Sequence, residues 1–165
     1  MSVINKSSLP KNSIITKYIE GIDYQDCYSF SIPNNSKSIQ ELYIAIFSSA
    51  PKWVEGLMRF RNWIVKFFGL KTEMKKAPDS EFEVGDKVGI FKIFDIQENE
   101  IIAGEDDKHL NFRVSIFRKT EETSTISIAT LVHYNNGFGR FYMSIVKPFH
   151  RLVVKSLIKK AIKKL

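Results

Sequence analysis

Between residues 24 and 32 the chain alternates. Tyr24, Asp26, Tyr28, Phe30 and Ile32 fall on one side, and Cys27, Ser29 and Ser31 on the other. A period of two predicts a strand with one covered face. Pro33, Asn34 and Asn35 end it. The period then changes. Ser38 with Glu41 three residues on forms a capping-box pattern, and Ile39, Leu42, Tyr43, Ile46 and Phe47 recur at helical spacing. Pro51 opens a second helical stretch, with Trp53, Val54, Leu57, Ile64, Phe67 and Phe68 as its stripe and Gly69 as its stop. The pattern predicts helices over 38–48 and 51–68, then a polar loop over 71–86.

Strands return after the loop, over 88–96, 100–105, 110–118 and 124–134. The last two alternate most clearly. Phe112, Val114 and Ile116 oppose Asn111, Arg113 and Ser115, while Ile126, Ile128 and Val132 oppose Ser127. Parity therefore predicts burial of the first sets and exposure of Asn111, Arg113 and Ser127, as in an antiparallel sheet with one wet face. Residues 138–165 read as one long helical stretch that Pro148 should kink or divide. Its expected apolar stripe is Phe149, Leu152, Val153, Leu157, Ala161 and Ile162. A sheet with one apolar face needs a cover, and this helix is the large apolar element left to supply it. The expected fold is α+β and helix-grip: a curved antiparallel sheet of five to seven strands wrapped on a long C-terminal helix, with a helix pair inserted after the first strand. Residues 1–22 read as a poorly structured arm, and 23–165 as a single domain.

Composition changes this picture little, but charge adds to it. The net charge is +7. No acidic residue follows Glu122, whereas Arg140, Lys147, Arg151, Lys155, Lys159, Lys160, Lys163 and Lys164 all lie beyond it. The excess belongs to the C-terminal element. It suits either a solvated helix face or an anionic partner. From Lys155 to the end no aromatic residue interleaves the lysines as a nucleic-acid platform would require, and nucleic acid is not an expected partner. A single cysteine, Cys27, excludes an intrachain disulfide and a cysteine-based zinc cluster. The start carries no leader-like apolar run, and a cytoplasmic location with a reduced thiol is expected.

Three blocks carry a resemblance: residues 53–72 (WVEGLMRFRNWIVKFFGLKT), 104–116 (GEDDKHLNFRVSI) and 139–161 (GRFYMSIVKPFHRLVVKSLIKKA). In their order and spacing they resemble an uncharacterised bacterial family, domain of unknown function 2867. That family is regarded as similar to the START-type, birch-allergen-like helix-grip superfamily, which includes lipid carriers, sterol and polyketide binders and some cyclases. The resemblance implies a fold and carries no catalytic residues. Some family members are attached to an NAD-binding domain. Gly137-Phe138-Gly139 does not complete a dinucleotide fingerprint here.

The expected function is non-catalytic binding of a hydrophobic small molecule or lipid between the sheet and the last helix. The candidate lining is Tyr28, Phe30, Phe94, Phe112, Val114, Ile128, Val132, Tyr134, Tyr142 and Phe149, with Phe138 nearby in sequence. The competing description is a filled core, in which each such side chain stabilises the fold by about 1.5–3 kcal/mol without any ligand. Asp106, Asp107, His109 and Arg113 form the densest polar block. They are candidates for a polar rim, or for the acid–base group of a cyclase- or hydratase-type enzyme; the bland alternative is a turn with an ion pair. A third expectation is an interaction module that docks an anionic membrane surface through the basic helix. His109, His133, His150 and Cys27 lack short ligand spacing, so no metal and no cofactor is expected.

Overall fold

The computed structural model describes residues 3–33, 37–48, 50–67, 81–120 and 123–165, with the backbone alone at 60, 61, 63–65 and 67. Strand β2, Tyr24–Ile32, and strand β7, Ser124–Tyr134, run as the alternation predicts. Between them lie β3, Lys87–Val88; β4, Phe91–Ile96; β5, Glu100–Asp106; and β6, Leu110–Thr120. The expected single strand over 88–96 is divided, because Gly89 adopts φ +67° and turns the chain between β3 and β4. A two-residue strand, β1, Asn5–Lys6, pairs with β2. The order is β1-β2-β7-β6-β5-β4-β3, antiparallel at every pairing. The first long strand thus closes against the last one, and the rest is a meander.

Helix α1, Ile39–Phe47, starts at the Ser38–Glu41 capping box, whose two reciprocal hydrogen bonds both form. Helix α2 is Lys52–Phe67, and α3 is Gly137–Ile162, which continues through Pro148 as one helix. The α1–α2 pair lies in sequence between the first long strand and the meander, as expected. The predicted Asn34–Asn35 turn, the Gly69 stop, positions 71–80 of the predicted loop, and the stripe side chains of Ile64, Phe67 and Phe68 lie outside the described residues.

One face of the sheet carries Tyr28, Phe30, Val114, Ile116, Ile126 and Ile128. These join Leu42 and Ile46 of α1 and Val154, Ile158 and Ala161 of α3 in the main core. This inner face is the one that parity assigned to the interior. The fold is α+β and helix-grip-like, a curved seven-stranded antiparallel sheet with its C-terminal helix laid over the apolar face.

The other face is not wet. Ile15, in a single 3-10 turn over Ile15–Tyr18, is fully buried there with Cys27, Ile102, Ala129 and Leu131, and Leu9, Ile14, Tyr18 and Ile19 pack around them. Residues 1–22, expected to be a poorly structured arm, have little regular structure, but the described part packs against the outer face and belongs to the fold. Glu100 secures it. This buried carboxylate accepts hydrogen bonds from the Ser13 hydroxyl at 2.5 Å, the Ile14 amide at 2.8 Å and the Ser115 hydroxyl. The expectation that Arg113 and Ser127 would be exposed therefore fails: both are buried, and Asn111 is half-buried. Strand parity placed the side chains on the correct faces, but a period of two cannot reveal that a second layer covers the polar one. Ile15→Ala should destabilise the protein by about 2–5 kcal/mol, as a large-to-small change in a packed site does. Thermal melts check this; an unchanged Tm would mean that the arm contributes nothing to the fold.

Helix α3 is also rotated from its expected setting. Met143, Val154, Leu157, Ile158 and Ala161 are buried, whereas Phe149 and Leu152 face solvent. Two contacts fix this rotation. Gly139 lies against the His109 carbonyl, and His150 reaches a buried carboxylate on β2. A hydrophobicity pattern contains neither.

Candidate functional site

A buried carboxylate stands in the inner face. Asp26 sits on β2 opposite Thr130 of β7, between Tyr24 and Tyr28 on the same side, and is 5% exposed. A carboxylate here loses its hydration, a cost that only hydrogen bonds and opposite charge can offset. The Tyr24 hydroxyl donates to Asp26 Oδ2 at 2.5 Å, and His150 Nε2 of α3 lies 3.3 Å from the same oxygen. Burial pushes the carboxyl towards its neutral form. His150, Tyr24 and Thr130 together outweigh that and hold it below its ordinary value. The Tyr24 phenol is pushed far up by burial and by the neighbouring carboxylate, so it remains a donor. The other carboxylate oxygen, Asp26 Oδ1, is buried and makes no hydrogen bond of ordinary geometry, although Thr130 directly opposite favours the charged carboxylate. Tyr43 Oη of α1 is in the same condition, packed between the rings of Phe47 and Phe82. Buried polar atoms without partners are uncommon in folded proteins, and each calls for a water or a ligand.

Cations line the seam between β2 and α3. Lys147 Nζ stands 5.0 Å from the centre of the Tyr24 ring, and Lys155 Nζ 5.7 Å from that of Tyr28. Arg151 is near enough to the Tyr24 hydroxyl to favour its ionised form. The arrangement offers an acceptor inside, a phenol and an imidazole around it, and three exposed basic side chains where α3 crosses the edge of the inner face.

The expected lining divides. Tyr28, Phe30, Val114 and Ile128 belong to the main inner core. Val132, Tyr134 and Tyr142 lie at the other end of the inner face with Tyr24, Leu110 and Met143, and Phe112 packs against both groups. Phe94 does not join them. It lies on the outer face, where the Arg113 guanidinium stacks on its ring at 3.7 Å. Phe149 is exposed.

The polar block is likewise split into two joints. Arg113 pairs with Asp106 at 2.7 Å and donates to the Phe112 carbonyl at 2.8 Å, beside Phe94. His109 lies 3.5 Å from Asp107 and meets the rings of Phe138 and Tyr142 edge-on. Asn135 and Asn136 donate to the carbonyls of Asp107 and Lys108, tying this hairpin to the start of α3. In this geometry the block makes turn and joint contacts. Each histidine meets its own aspartate: His133 pairs with Asp23 at 2.9 Å, as His109 does with Asp107 and His150 with Asp26. These pairs are separate, and among the described residues no three metal-binding side chains gather. Cys27 is on the outer face, where burial pushes its thiol up and away from nucleophilic use.

Asp26 is not among the candidates read from the sequence, and the one signal that could have found it is an acid in the apolar phase of a strand. Its partner carries no such signal, since the His150 contact depends on the rotation of α3.

No helix among the described residues is long and apolar enough to cross a membrane. No curated protein and no solved structure matches the chain. The model of the family described as Protein of unknown function (DUF2867) matches residues 18–157, from the 3-10 turn of the arm into the last turns of α3. That span takes in β2, the meander, His150 and the seam, and the chain belongs to this family.

Proposed function

We propose that the chain is a non-catalytic binder of an apolar small molecule that carries a hydroxyl group. The observation behind this reading is Asp26 Oδ1, a buried carboxylate oxygen that makes no hydrogen bond of ordinary geometry, in a face that is mostly apolar. A carboxylate held in its charged form accepts hydrogen bonds and donates none. It therefore selects a donor, and Lys147, Arg151 and Lys155 at the seam disfavour a cationic one. The apolar body of the ligand would lie along Tyr28, Ile128, Phe112 and Val132. A hydrogen bond to a charged group contributes about 1.5–3 kcal/mol, which is about tenfold or more in affinity.

The test uses 1-anilinonaphthalene-8-sulfonate as the fluorescent probe and compares 1-dodecanol with dodecyl methyl ether, which lacks the donor. The alcohol should displace the probe at about a tenfold lower concentration, and Asp26→Leu should erase that difference. Equal displacement by alcohol and ether, or none by either, defeats the reading. Acid melts give a second readout. A carboxyl held below its ordinary value of 3.8 contributes stability that is complete above that pH and is lost as the pH falls through its folded value. Asp26→Asn should thus be less stable than the parent at neutral pH, and the gap should close in acid below 3.8.

A further inference from the structure

The outward side of α3 carries a row that the described residues leave uncovered. Phe141, Ile145, Phe149 and Leu152 are 61%, 47%, 46% and 56% exposed. Their spacing of four, four and three residues places them on one stripe, about 17 Å long at 1.5 Å per residue. The stripe is turned away from His150, Val154 and Ile158, which face the sheet. Four large apolar side chains in a row on one exposed helix mark an interaction surface rather than scattered surface residues.

The charge around the stripe identifies what covers it. Arg140, Lys147, Arg151 and Lys155 are exposed and form a parallel row on one flank, at spacings of seven, four and four. Lys159 and Lys163, also exposed, continue the line of the stripe towards the C-terminus. The helix has no acidic residue. A second copy of the chain would bring the same cations to the contact with no carboxylate on either helix to answer them. An anionic lipid surface answers both features, since apolar side chains enter the acyl boundary while long basic ones reach back to the headgroups.

We propose that α3 docks the protein in the plane of an anionic membrane surface, with Phe141, Ile145, Phe149 and Leu152 inserted and the flanking cations on the lipid headgroups. This goes beyond the ligand reading and does not depend on it: the inserted stripe lies on the side of the helix away from His150, and the cations changed in the test, Arg140, Lys159 and Lys163, are not those of the seam. A docked helix would place the β2–α3 seam beside the bilayer.

Vesicle co-sedimentation tests the proposal with the full chain, using phosphatidylcholine alone and phosphatidylcholine with about 30 mol % phosphatidylglycerol, a strongly anionic surface. The protein should pellet with the anionic vesicles and remain in solution with the neutral ones. Binding should weaken as salt rises to about 0.15 M, where the screening length falls to about 8 Å. Changing Arg140, Lys159 and Lys163 to Gln should lower partitioning about fivefold per cation. Phe149→Ser with Leu152→Ser should lower it about tenfold or more, for two large side chains no longer buried, at an unchanged Tm. The proposal is overturned by no pelleting with anionic vesicles at low salt, or by serine variants that pellet as the parent does. A dimer in light scattering that the serine variants dissociate also overturns it, since the stripe would then be a protein–protein contact.

Discussion

Gly139→Ala should cost the protein about 3 kcal/mol or more, the upper end for overpacking a site that cannot relax. A Cβ at this position would stand 1.9 Å from the His109 carbonyl oxygen and 2.9 Å from its carbon. Neither is the movable end of a side chain. The same carbonyl accepts from the Asn135 amide, and the Asn136 side chain caps α3 by accepting from the Gly139 amide. Helix start, β7 exit and the β5–β6 hairpin therefore meet at one backbone contact. Forcing them apart would shift the whole of α3, His150 included. At about 2–4 °C per kcal/mol for a domain of this size, the melt should fall by about 10 °C. Gly137→Ala provides the control, because a Cβ there meets nothing within 4 Å. That variant should melt with the parent. Equal melts for both alanine variants would show that the α3 start can slide on the hairpin.

Those close approaches explain why some of the fold was legible in the sequence and some was not. Alternation placed β2 and β7 at their observed ends, and the Ser38–Glu41 pair located the start of α1. Both signals are local, carried by residues a few positions apart. The outer layer was not legible. Ile14, Ile15 and Ile19 lie in a polar stretch with no period, and their burial depends on Glu100, some 86 residues away in the chain, accepting from Ile14 and Ser13. The rotation of α3 was hidden for a related reason. Its sequence offers two apolar rows, one through Met143, Val154 and Ile158 and one through Phe141, Phe149 and Leu152. Hydrophobicity alone cannot choose between them; the Gly139 contact and the His150–Asp26 pair do. The candidate site follows the same division. Asp26 could be singled out from its strand, whereas His150, Lys147 and Lys155 reach it only through the fold.

Ending the chain at Pro148 should abolish the cooperative melt. The deletion removes Val154, Leu157, Ile158 and Ala161, the buried side of α3, and it takes His150 from the Asp26 carboxylate. Burial of three large aliphatic side chains accounts for about 5–9 kcal/mol at about 1.5–3 kcal/mol each. A domain of this kind has about 5–15 kcal/mol of net stability. The buried Asp26 left without its imidazole adds to the loss, because a carboxylate in an apolar face must then be rehydrated or protonated. The exposed row on the same helix predicts the opposite behaviour. Phe149→Ser and Leu152→Ser should each change stability by no more than about 0.5 kcal/mol, as surface substitutions do. One helix thus separates into a side that the fold requires and a side that it does not. Circular dichroism melts of the truncation and of the two serine variants distinguish them. A truncated chain that still melts cooperatively near the parent temperature would mean that the inner face of the sheet is covered without α3, and the seam beside Asp26 would then not exist.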